Sequence, residues 1–192
     1  NGDDVASKVK ILSSLSFNSF INNQIHVEGI NTISSEDIIN AKKLGYKIKL
    51  LGFSEVFKNK IYQRVHPTLV KKSSYIAGVN GVLNAVIIDG KPIGQTIIKG
   101  EGAGPSATTS ALVSDLCSIL RGNIKYPFGI SSSKKKYYSS GKISDLFFSS
   151  YIRLNVKDKY GVLSDVTKIF AKNKVSIKRV LQNPYKLKKN SS

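Results

Sequence analysis

Apolar positions first recur at helical spacing. Val5, Val9, Leu12 and Leu15 predict an amphipathic helix over residues 5–16, with Asp3 and Asp4 in its first turn, where carboxylates favour the helix dipole. "SSEDIINAKKLG" predicts a second helix, capped by Ser34 or Ser35, with Asp37 in the first turn and Gly45 as the stop. From Tyr46 the period changes to two. "YKIKLLGFSEV" and "KIYQRVHPTLV" predict strands joined by the polar "FKNK". Two further strands, over 82–88 and 94–98, flank the turn "DGKP". "GEGAGPSATTSALVSDLCSIL" then predicts a glycine-rich turn entering a long apolar-periodic helix over about 106–120. Helices packed on a mixed sheet make this an α+β arrangement.

Beyond residue 125 the composition changes. "YPFGISSSKKKYYSSGK" has the Pro, Gly, Ser and Lys content of a linker. A βαβ pattern follows: "SSYIRLNVKD" alternates as a strand, "YGVLSDVTKIFAKNK" is helical with Val162, Val166, Ile169 and Phe170 inward, and "VSIKRVLQ" is a second strand. The expected division is therefore 1–125, a linker at 126–147, and 148–192. Two strands and a helix bury too little to stand alone, so the last unit is expected to be completed by another chain or cut short. No internal repeat joins the two parts.

The chain has 192 residues, 41% of them hydrophobic, which suits a folded domain and a smaller companion. No apolar run reaches the roughly 18 residues of a membrane span, and no signal peptide is visible. Cys117 is the single cysteine, expected as a buried apolar-face thiol. That excludes an internal disulfide and makes the cytoplasm the default compartment. Lys and Arg outnumber Asp and Glu by 30 to 12, a net charge of +18, but the lysines are spread along the chain. The only dense basic-aromatic cluster is "KKKYYSSGK", and without an RNP, zinc-finger or helix-turn-helix pattern a solvated basic surface is expected rather than a nucleic-acid partner.

Candidate chemistry is sparse. Asp4 and Lys8 stand four apart, so on a helix they share a face: either a surface ion pair or half of an active site. In "GEGAG", Gly100, Gly102 and Gly104 let backbone approach a ligand ahead of a helix N-terminus; a plain strand-to-helix turn explains the run equally well. His66 before Pro67, and His26, read as structural, and Asn84 as a satisfied buried amide. Two histidines in such contexts support neither a metal site nor a catalytic triad.

Four runs, "GDDVASKVKILSSLSF", "IHVEGINTISSEDIINAKKLGYKIKLLG", "RVHPTLV…GVNGVLNAVIIDG" and "GEGAGPSATTSALVSDL", resemble in order and spacing the substrate-binding half of homoserine dehydrogenase over residues 1 to about 120. "YIRLNVKDKYGVLSDVTKIFAKNKVSIKRVLQ" resembles the opening of an ACT module, the ferredoxin-like amino-acid-sensing domain of many monofunctional bacterial members. The resemblance implies NAD(P)-dependent interconversion of L-homoserine and L-aspartate 4-semialdehyde, on the route to threonine, methionine and isoleucine. It implies that Lys8 exchanges the proton at the reacting oxygen and that Asp4 binds the substrate amino group, with Asp3, Asp4 and Lys8 as substrate-binding residues. Gly102, Ala103, Gly104 and Thr108 fall on the loop and helix that lie near the nicotinamide. It further implies a homodimer or homotetramer built on strands between 47 and 98, a threonine effector, and effector contacts at Asp158, Gly161, Val162 and Leu163. The family's nucleotide-binding domain and a substrate-binding glutamate would lie upstream of residue 1, and Tyr160 replaces the usual proline before Gly161. With no methionine in the sequence, the chain is expected to be a fragment, inactive without its nucleotide domain. The alternative is a non-catalytic amino-acid-sensing protein that kept the ACT unit.

Overall fold

The computed structural model describes residues 2–21, 24–123, 126, 129, 131–157 and 159–183. Two compact units divide the chain, Asn1–Phe148 and Ser149–Ser192.

In the first unit, helix α1 (Asp3–Phe17) ends on Asn18, whose left-handed backbone (φ 52) returns its N–H to Ser14. Strand β1 (His26–Val27) and helix α2 (Ser35–Lys43) follow. Ser34 caps α2: its Oγ accepts from Asp37 N (3.2 Å), and Asp37 Oδ2 accepts from Ser34 N (2.9 Å), satisfying two end groups reciprocally. Gly45, at φ +85, then turns the chain into the sheet.

Strands β2 (Tyr46–Phe57) and β3 (Lys60–Lys71) pair antiparallel over their full 12 residues. The polar connection tightens to two residues, Lys58 and Asn59, both left-handed (φ 47 and 60), as a twisted hairpin requires. The far edge of β3 carries two short parallel partners, β1 at Arg64 and Val65 and β6 (Ser139–Ser140) at Lys60 and Ile61. This sheet is mixed. The core lies between it and α1: Ala6, Val9, Ile25 and Val65 are buried, with Val5 and Leu50 against them. Gly52 makes the close approach possible, because a Cβ there would overlap Val9 Cγ2 and stand 3.0 Å from Val5 Cγ1.

Strands β4 (Leu83–Gly90) and β5 (Gly94–Glu101) correct the expectation of one sheet, for among the described residues they pair only with each other. Alternation identifies a strand face without naming the neighbour along its edge. The outer face of β2 instead grips the connection leading to them: Lys47 Nζ donates to Ala77 O (3.0 Å), and Lys49 Nζ to Val79 O and to Asn80 Oδ1 (2.9 Å). Helix α3 (Pro105–Leu120) forms where expected, yet none of its residues is buried, and Leu112, Leu116 and Leu120 are exposed. Its apolar stripe is real and lies exposed among the described residues. The stretch of linker composition in part lies along β3: Gly141 N donates to Ile61 O (2.7 Å), Asp145 pairs with Lys60 (3.6 Å), and Phe148 stacks on His66.

In the second unit, helix α4 (Val162–Lys172) is the only regular element among the described residues. Among the described residues the expected strands at either side do not form ladders: alternation along a segment does not by itself supply the neighbouring edge that a ladder needs. Val162, Val166 and Phe170 are half-buried as expected, whereas Ile169 is exposed, its position falling off that stripe.

Candidate functional site

Helix α1 carries the first cluster. Its acidic first turn supports the helix dipole, and one turn later Lys8 Nζ meets Asp4 Oδ2 at 2.9 Å. The Lys8 side chain is 49% exposed and that of Asp4 79%, so by stability alone the pair contributes only about 0.3–0.5 kcal/mol. Chemically it is a proton-bearing amine held beside a carboxylate on an open helix face. Asp3 points elsewhere. With Ser7, Lys10, Gln24 and Val27 it lines a cavity of about 250 Å³ on the neighbouring stripe of α1. The three expected residues thus share one helical turn but divide between two faces.

The glycine loop forms the second cluster. Gly102 N donates to Val82 O (3.1 Å), closing the loop onto the start of β4. A Cβ at Gly102 would fall on the Asn84 amide, 2.5 Å from its Cγ. Asn84 is exposed rather than buried as expected, and its Nδ2 donates to the same Val82 O at 3.3 Å, so a position inside an apolar strand here borders the loop. Gly104 takes φ +113, open only to glycine at low cost, and precedes Pro105 at the start of α3. Ala103 is exposed between these glycines. Thr108 ties the turn down, its N (3.1 Å) and Oγ1 (3.0 Å) both donating to Gly104 O. Bare backbone and small side chains leave the α3 N-terminus open to close approach.

His66, His26 and Cys117 lie in other settings. His66 Nδ1 lies 3.1 Å from Pro67 O, and its ring stacks between Phe53 (5.3 Å) and Phe148 (6.2 Å). His26 sits exposed in β1, Cys117 is half-buried rather than buried, and no metal-binding cluster occurs among the described residues. Sequence reasoning missed Arg64. Its guanidinium lies over Phe53 (4.6 Å) and Phe148 (5.9 Å) and bonds Glu55 at 2.7 Å, an arrangement signalled only by the two-residue spacing that puts Arg64 and His66 on one strand face. Of the expected effector positions, Gly161 (φ 86) precedes α4, Val162 begins it and Leu163 is exposed; Asp158 lies outside the described residues. No helix among the described residues is long and apolar enough to cross a membrane.

The family model for homoserine dehydrogenase matches residues 1–117, which include both clusters. The homoserine dehydrogenase of Bacillus subtilis is 34% identical over 187 residues, 96% of this chain and 43% of its own length. That of Helicobacter pylori is 36% identical over 182 residues, 94% of this chain and again 43% of its own. The crystal structure of a homoserine dehydrogenase from Thiobacillus denitrificans superposes with a TM-score of 0.80 at 31% identity, over 94% of this chain and 43% of that one. The present chain therefore spans less than half the length of these relatives. A family match across both clusters, with relatives that align through nearly all of its residues, shows that the chain belongs to the homoserine dehydrogenase family.

Proposed function

We propose that this chain is the substrate-binding portion of an NAD(P)-dependent homoserine dehydrogenase that interconverts L-homoserine and L-aspartate 4-semialdehyde. The Asp4–Lys8 contact carries the reading: an amine and a carboxylate at 2.9 Å on an open helix face, inside the region of the family match. A nicotinamide, when bound, would supply the hydride chemistry. In reduction, the Lys8 ammonium gives its proton to the carbonyl oxygen as negative charge develops there; in oxidation, the Lys8 amine takes the homoserine hydroxyl proton. Asp4 accepts from Lys8 and from the substrate ammonium, fixing the distance between them. Asp3, lining the adjoining cavity, offers a second carboxylate for that ammonium. Gly102, Ala103, Gly104 and Thr108, two glycines and two small side chains, would let a nicotinamide come close to the backbone here.

The same reading makes the unit Ser149–Ser192 an ACT module responding to threonine through Gly161, Val162, Leu163 and Asp158. Helix α4 with a left-handed glycine before it supports this. It makes the assembly a cytoplasmic homodimer or homotetramer formed through strands between 47 and 98, which the exposed Val82, Ile93 and Ile98 support. The test is a full-length protein, with the upstream reading frame restored, assayed for homoserine-dependent reduction of NAD and NADP. Turnover is expected. Its absence with both nucleotides would overturn the reading.

A further inference from the structure

Apolar contacts between α1 and the sheet are numerous but lack direction. Val5, Ala6 and Val9 rest on Val65, Leu50 and the backbone of Gly52, contacts that set how closely the helix approaches the sheet but, being non-directional, do not single out one hydrogen-bonded register. A polar contact crosses the same interface. Gln63 on β3, 8% exposed, donates from Nε2 to Oγ of Ser13, 2% exposed, at 2.9 Å. Ser13 Oγ donates in turn to Val9 O at 2.5 Å, which aims the hydroxyl's free lone pair at Gln63. The arrangement sacrifices stability, because Gln63 Oε1 is buried with no hydrogen-bond partner among the described residues. Apolar side chains of the same size would fill the interface more favourably. A polar pair kept in such a place acts as a registry device, since it is satisfied in one rotation and one height of the helix only.

What the registry governs lies on the same helix. Ser13 follows Lys8 by five residues and Asp4 by nine, about half a helical circumference from Asp4. Side-chain ends ride about 5–6 Å from a helix axis, so a rotation of about 10° displaces Lys8 Nζ by about 1 Å. A misplacement of about that size costs on the order of 100-fold in rate. We propose that the buried Ser13–Gln63 hydrogen bond locks the rotation and height of α1, making both residues positioning residues for the proton exchange at Lys8. This inference rests on the dehydrogenase reading above.

The experiment compares the full-length enzyme with its Ser13→Ala, Gln63→Leu double variant. Replacing both ends by apolar groups leaves no orphaned donor, so the double variant folds with a Tm at or above that of the parent. Its kcat for homoserine oxidation is expected to fall about 10- to 100-fold, with KM for the nucleotide unchanged, because the glycine loop is built on other elements. A merely structural contact would shift Tm and leave kcat alone. If the double variant is recovered unfolded, Ser13→Ala, which removes a single hydroxyl, reads the same split between kcat and KM. A folded variant whose kcat stays within about twofold of the parent would overturn the lock while leaving the dehydrogenase reading intact. A parent enzyme without homoserine turnover would overturn that reading, and the lock with it.

Discussion

Gly52→Ala tests how α1 is seated. The new methyl carbon would overlap Val9 Cγ2 and stand 3.0 Å from Val5 Cγ1 and 3.7 Å from Val65 Cγ2, so neither side of the interface has room for it. Val65 is fully buried and cannot withdraw, and α1 must lift or turn. Overpacking of this kind costs about 1–3 kcal/mol. A cooperative unit of about 150–250 residues loses about 2–4 °C in Tm per kcal/mol, so a fall of about 2–12 °C is expected in the thermal transition of the unit that holds α1. Val9→Ala alone removes two buried methyl groups and costs about 1.5–2.5 kcal/mol. Because it also opens the space the new methyl needs, the Gly52→Ala, Val9→Ala double variant is expected to be more stable than the sum of the two effects by about 1–2 kcal/mol. The two substitutions adding without coupling, or a Gly52→Ala protein melting with the parent, would refute the argument that a missing Cβ admits the helix.

Two further outcomes follow from local geometry. Ser34→Ala removes the cap oxygen that accepts from Asp37 N and is expected to cost about 1 kcal/mol, read as a Tm fall of about 2–4 °C in the thermal transition of the unit that holds α2. Gly102→Ala drives a methyl into the Asn84 amide and is expected to raise KM for the nicotinamide nucleotide in steady-state kinetics, an effect partly relieved when Asn84 is also replaced by alanine.

Much of this architecture is written in local signals. Helix α1 follows from the spacing of Val5, Val9, Leu12 and Leu15, and α2 from Ser34, Asp37 and Gly45, because cap and period are properties of neighbouring residues. Pairing beyond a hairpin is not local. The turn "DGKP" joins β4 to β5, but nothing in Val86 or Ile98 says that this hairpin stays off β2, and the stripe Leu112, Leu116, Leu120 shows a helix without showing what covers it. The site divides in the same way. Asp4 and Lys8 were legible because four residues make one helical turn, and the structure brings them to 2.9 Å. The convergence of Arg64, Phe53 and Phe148, and the bond from Gln63 to Ser13 across 50 residues of chain, depend on the fold of β2 and β3 and on how α1 lies over them.

The central claim is that Lys8 exchanges the proton at the reacting oxygen, and Lys8→Ala in the full-length enzyme tests it most directly. Steady-state oxidation of homoserine is expected to show kcat lowered by about 10²- to 10⁴-fold with a much smaller change in KM, partly restored by added small primary amines that replace the missing group. A Lys8→Ala enzyme that turns over homoserine at the parent rate would contradict the account.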